Sequence, residues 1–162
     1  MTRDRNRNAL ALALLRIAVG LLFLIFAQYK VFGTQFTLGG GFQIWINRFL
    51  EHGAYPFMMP ILKDFVLPHA TPIAFLVAYG ELLIGMSLVT GILVRTASVC
   101  GLVFMLTLLF SSDYPDPTAV FWQYFGASLS HSVLALCYAA FVLGDPDQIL
   151  SLTLRRRRLT AR

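Results

Sequence analysis

The sequence predicts an all-α integral membrane protein, a four-helix bundle with both termini on the inner side and amphipathic helices in its first outer loop. Three observations carry that reading. The 162-residue chain is 57% hydrophobic and 13% charged, where a soluble domain carries about 25% charged residues. Its mean hydropathy is +0.70. Four apolar segments approach the length of about 20 residues that a membrane crossing needs. No polar linker or composition shift divides the chain, so residues 1–162 are read as a single transmembrane domain.

The first span covers about residues 9–32. It follows a basic start, Arg3, Arg5 and Arg7, as a signal peptide would. It is too long for a signal segment and lacks a small-residue cleavage site, so it reads as a retained helix. The outer loop, residues 33–71, is too long to be idle. After Gly39-Gly40-Gly41, apolar side chains fall at Phe42, Trp45, Ile46, Phe49 and Leu50, the spacing of an amphipathic helix. Met58, Ile61, Leu62, Phe65 and Val66 repeat the pattern between Pro60 and Pro68. The loop is either a plain membrane-surface contact or a platform, over residues 42–67, for other subunits of a membrane complex.

The second span covers about residues 72–94, the third 96–112. The fourth, 120–143, is closed by Gly144-Asp145-Pro146, a strong helix stop. Orientation follows from Lys and Arg. Arg3, Arg5, Arg7, Arg95, Arg155–Arg158 and Arg162 share one side, against Arg48 and Lys63 on the other, so both termini are expected in the cytoplasm. The net charge of +5 is therefore a set of membrane anchors facing the lipid bilayer, and nucleic acid is not an expected partner. Cys100 and Cys137 lie in apolar segments without a CxxC pair and read as free thiols that behave as small hydrophobes.

The polar residues inside the spans point to function. A charged carboxylate facing lipid costs at least about 2.5–3.5 kcal/mol, so Glu81 must turn inward, pair or take up a proton. Arg16, Lys30 and His131 are its candidate partners. Arg16, Gly20, Phe23, Ala27 and Lys30 form one helical stripe; Glu81, Gly85, Leu88, Ile92 and Arg95 form another. Small residues on such stripes let two backbones approach. Tyr124, Ser128, His131, Ala135 and Tyr138 share one face of the fourth span. If that span starts at residue 120, His131 lies about 16 Å below the outer edge and Glu81 about 12 Å, so a contact between them is open.

Two readings of this set stand side by side. In one, Glu81 and His131 exchange protons with a quinone, while Arg16, Lys30, Glu81 and Tyr124 line its site. In the other, Glu81 pairs with Arg16 or Lys30 and only fixes the packing. Haem and metal are not expected: no two histidines within the spans share a depth, and no metal-ligand spacing is present. A small-solute or lipid carrier is disfavoured, because neither a broken helix nor an inverted repeat is visible.

Three blocks carry a resemblance: Arg16-Ile-Ala-Val-Gly20 with Lys30-Val-Phe-Gly33, the Gly53-Ala-Tyr-Pro56 turn, and Glu81-Leu-Leu-Ile-Gly85 with Gly91-Ile-Leu-Val-Arg95. They resemble the DoxX family of small four-helix membrane proteins, which includes DoxD. The resemblance implies a bacterial or archaeal cytoplasmic (inner) membrane, and a subunit of a quinone-linked oxidoreductase or electron-transfer complex that is not catalytic alone. Arg16, Lys30, Glu81 and Arg95 match the family's polar positions; His131 matches none. The rival expectation is a non-catalytic subunit that anchors or assembles a larger membrane complex. The small residues Ala127, Ser128, Ser130, Ser132, Ala135 and Ala139 suit close packing in either case.

Overall fold

The computed structural model describes residues 2–126, 129–147 and 149–152. The basic run Arg155–Arg158, Arg162, Ala127 and Ser128 lie outside the described residues. Among these, every regular element is helical: α1 (Thr2–Phe32), α2 (Thr34–Thr37), α3 (Gly41–Glu51), α4 (Ala70–Thr90), α5 (Val94–Ser112), α6 (Gln123–Gly126) and α7 (Leu129–Leu143), with a π-helical turn over Ile61–Val66. Three stretches are long and apolar enough to cross a membrane: Asn6–Phe32, Ala70–Thr90 and Val94–Ser112. The shorter apolar α7 completes a bundle in which α1 packs mainly on α4, and α5 mainly on α7. The chain is a membrane protein. Large apolar side chains such as Ile25, Leu76, Leu83 and Leu136 stay exposed along the spans, as contact with lipid requires.

Small residues set the spacing of α1 and α4. A Cβ on Gly20 would come within 2.9 Å of Leu88 and Val89, and one on Gly85 within 3.0 Å of the Gly20 carbonyl oxygen. In lipid, where apolar burial drives little, such close backbone contact is what holds helices together. The stripes read from the sequence are therefore the α1–α4 interface.

Two boundaries differ from expectation. The second and third spans meet earlier and across three residues instead of one: α4 stops at Thr90 and α5 starts at Val94. Gly91 takes a left-handed conformation (φ 75°) and its N–H closes on the Ser87 carbonyl, while Leu93 (φ 53°) is also left-handed. These residues reverse the chain within three positions. In the fourth span the described helical residues are Gln123–Gly126 and Leu129–Leu143, so helix begins after residue 120. Residues 120–122 are instead a turn, in which the Gln123 side-chain oxygen accepts the Val120 N–H at 3.0 Å.

The bundle end opposite the termini carries a folded cap. Phe36, Phe42, Ile46, Ala54 and Leu62 bury themselves against the Ala70, Ala74 and Ala78 stripe of α4. The expected amphipathic helix is α3, but it packs Phe42 and Ile46 on the bundle and leaves Trp45 half exposed beside Arg48. The second apolar set also divides. Met58 and Leu62 are buried while Ile61 and Phe65 are exposed. The cause is the π-helical winding, whose Leu67 N–H to Leu62 carbonyl bond spans five residues instead of four and shifts the inward face. The Gly53 turn seals the cap to α5. Tyr55 N–H donates to the Phe110 carbonyl at 2.9 Å, and Tyr114 N–H to the Gly53 carbonyl at 2.8 Å. Gly53 (φ 133°) lies so close to the Ser112 carbonyl that no Cβ fits.

Candidate functional site

The carboxylate of Glu81 belongs to a residue 5% exposed and about 16 Å from the start of α4. Lys30, near the end of α1, reaches it: Nζ lies 2.5 Å from Oε1. The same ammonium stands 5.1 Å from the centre of the Phe36 ring, a cation–π contact that ties the pair to the cap. Of the two partners left open by the sequence, the structure selects Lys30.

Oε2 of Glu81 has no hydrogen-bond partner. On α7, the fully buried Tyr138 also carries a hydroxyl without one, within electrostatic reach of the Glu81 carboxylate. Its ring is fixed from two sides. Phe23 of α1 meets it edge-on at 5.4 Å between ring centres. Gly101 of α5 provides a bare backbone against which the ring lies, with no room for a Cβ. Unpartnered buried polar atoms are uncommon and costly, and among the described residues they also include Arg16 Nε and Ser111 Oγ.

Arg16 forms a separate buried centre. The guanidinium is fully buried. Nη1 donates to the Leu88 carbonyl and Nη2 to the Leu150 carbonyl at 2.8 Å. Leu88 belongs to the last turn of α4, whose carbonyls have no partner within the helix, so Arg16 caps that helix with positive charge. It also ties down the segment after α7, where Ser151 donates to the Gly91 carbonyl at 2.8 Å. Arg16 therefore lies apart from Glu81. Arg95, the other cation of the α4–α5 turn region, is exposed.

His131 is not beside Glu81. His131 lies toward the cap end of the fourth span, where Nδ1 is 2.8 Å from Oδ2 of Asp113. Ser112 donates to the other carboxylate oxygen at 2.7 Å. Tyr124 also belongs to the cap. Its hydroxyl donates to the Asp116 carbonyl at 3.1 Å, and its ring clusters with Tyr55 and Tyr114. Burial, and then the nearby Asp113 carboxylate, push the Tyr55 phenol above its usual range. Two hydrogen bonds from Thr118, through its hydroxyl and its backbone N–H, hold the Asp116 carboxyl below the usual range.

Tyr138 is the site residue that the charge pattern missed. It lies seven residues beyond His131 on the same face, two helical turns further from the cap. Cys100 and Cys137 are both free thiols.

The family model described as DoxX matches residues 11–112, more than half of the chain. The match contains Arg16, Lys30, Glu81 and Arg95 and stops before Tyr124, His131 and Tyr138. No curated protein and no solved structure matches the chain.

Proposed function

The chain belongs to the DoxX family, and from that premise we propose that it is a membrane subunit of a quinone-linked redox complex. The observation that carries this reading is the buried Glu81 carboxylate, with one oxygen on Lys30 and the other free. A bilayer-spanning protein keeps such a group at a cost that function commonly explains.

A quinone supplies two-electron, two-proton chemistry at its ring oxygens. Toward it, this chain offers Glu81 Oε2 to accept or return a proton, and the Lys30 ammonium to hold the carboxylate in place as its charge changes. Electrons come from a partner subunit, because the chain offers protonic groups and binding surface. Arg16 supports the site from a distance by fixing the end of α4. Arg7 and Arg95, both exposed at the end of the bundle where the 149–152 segment docks, favour a bacterial or archaeal cytoplasmic membrane with that end in the cytoplasm.

Glu81→Gln tests this reading, because it keeps shape and removes proton exchange. The complex should assemble, while quinone turnover falls by about 10²-fold or more. Unchanged quinone binding and turnover would sink the proposal.

A second reading has its own observation. The cap exposes Ile44, Trp45, Phe57 and Phe65 on elements outside the spans, which suits a non-catalytic subunit that assembles a larger complex. In that case, polar replacements of Trp45 and Phe65 disrupt assembly, and Glu81→Gln changes nothing.

A further inference from the structure

We propose that the cap holds a pocket for a phosphate-type oxyanion, built where the N-termini of α3 and α4 meet, and that a phospholipid headgroup supplies the anion. The site stands whether or not Glu81 serves a quinone.

Both helices begin without a side-chain cap. The residue before α3 is Gly40, which has no side chain. The residue before α4 is His69, whose Nδ1 lies 2.8 Å from the Phe65 carbonyl oxygen instead. Neither first turn carries an acidic residue. The Ile44 N–H closes on the Gly40 carbonyl and the Ala70 N–H on the Leu67 carbonyl. Among the described residues, the N–H groups of Phe42, Gln43 and Thr71 are left without an acceptor. All three residues line one cavity of about 110 Å³, several times the roughly 10–15 Å³ that a single water needs. Open backbone donors and the positive ends of two helix dipoles, gathered at one space, fit an anion.

Thr37 points to a ligand independently. It is 8% exposed and lines the same cavity, and among the described residues its hydroxyl has no hydrogen-bond partner. Helical threonines commonly return the hydroxyl to a carbonyl one turn back, as Thr90 and Thr107 do here. A hydroxyl this buried is costly to leave unpaired, and the cavity is where its partner fits. The sign of the guest's charge follows from the surroundings. No acidic side chain lines the cavity. Phe36, another lining residue, has the Lys30 ammonium 5.1 Å from its ring centre.

Depth identifies the source of the anion. The 21 residues of α4 span about 31 Å, which matches the roughly 30 Å hydrocarbon core of a bilayer. The first turn of α4 therefore lies at headgroup level, where lipid phosphodiesters are. Leu38, which also lines the cavity, is 65% exposed and offers an apolar edge to an acyl chain.

The experiment is ligand binding to the full chain, purified in a mild detergent and stripped of lipid, read by native mass spectrometry with thermal melting alongside. The probes are a phosphatidylglycerol, a diacylglycerol glycolipid with the same chains and no phosphate, and inorganic phosphate against chloride at equal ionic strength. Wild type, Thr37→Val and Thr71→Glu are compared. Phosphatidylglycerol should bind at least about ten-fold tighter than the glycolipid. Thr37→Val keeps the shape and removes the hydroxyl, so it should fold like wild type and bind the phospholipid about ten-fold more weakly. Thr71→Glu places a carboxylate at the N-terminus of α4. It should melt above wild type without lipid, and bind phosphatidylglycerol at least about ten-fold more weakly. If inorganic phosphate raises wild-type melting, Thr37→Val removes the rise and the phospholipid does not bind, the oxyanion pocket is upheld and the lipid source is overturned. Equal binding of the two lipids with no response to inorganic phosphate overturns the pocket itself. So does a Thr37→Val variant that binds phosphate and phospholipid like wild type. None of these outcomes bears on Glu81, whose Glu81→Gln variant tests the quinone-linked reading alone.

Discussion

Two cations on one helix meet opposite fates. Arg16 and Lys30 lie fourteen positions apart on α1. Arg16 is turned to backbone: Nη1 and Nη2 end on the carbonyls of Leu88 and Leu150, Nε has no partner, and the residue is fully buried. Lys30 is spent on a side chain, Glu81, which has an oxygen left over. The arginine centre is a joint between helix ends. The lysine centre has polar capacity to spare. The side chains suit these tasks, since a planar fork of donors spans two carbonyls and a point charge on a flexible stem follows one carboxylate.

The comparison is broken most severely at the joint. Arg16→Leu leaves two carbonyls without a donor, at about 1–3 kcal/mol for each that stays buried. The purified protein should melt markedly lower, and hydrogen exchange should rise in residues 149–152. Arg16→Lys should rescue little of this, because one ammonium does not reproduce the fork. A variant that melts like wild type with a protected C-terminal segment would show that Arg16 is no joint. Gly101→Ala comes next. The added methyl meets the Tyr138 ring, and overpacking of this kind costs about 1–3 kcal/mol. The clash is with ring carbons, so Tyr138→Phe should not relieve it; relief would mean that the ring is not seated on Gly101.

Much of this contrast was legible in the sequence, and the rest failed for definite reasons. Arg16, Lys30 and Glu81 stand out because charge is expensive in a bilayer, and the Gly20 and Gly85 stripes predict the α1–α4 contact. Which cation takes Glu81 was open, because spacing along a helix gives a face but not the lean of a long side chain. The carbonyl of Leu150 was beyond reach, since no pattern links α1 to a backbone atom in the chain's last turns. His131 was read as a candidate partner of Glu81 because depth along one helix does not reveal that Asp113, just past the end of α5, lies beside it. Tyr138 was silent for the opposite reason: an uncharged ring in an apolar run looks like packing until its oxygen is found alone.

The lysine centre can be sharpened by a double-mutant cycle. Lys30→Met, Glu81→Gln and the double variant should show a coupling of about 0.5–3 kcal/mol in thermal stability. The lower part of that range is expected, because the Lys30 side chain is 21% exposed and solvent or headgroups screen the pair. Additive effects would mean that the 2.5 Å contact contributes nothing to folding.

The smallest expected change isolates the site from its scaffold. Gly80 adjoins Glu81 on α4, and a Cβ there meets nothing within 4 Å. Gly80→Ala therefore adds no clash and restricts the unfolded chain, a gain of about 0.4–1 kcal/mol where the native backbone accepts alanine. Gly80 lies inside α4 with ordinary helical geometry, so that condition holds. The melting temperature should rise slightly while the Glu81 pair and its ligand affinity stay unchanged. A stabilised variant with altered affinity would show that the site depends on freedom in α4 at this point, and the lysine centre would then be a moving part of the bundle.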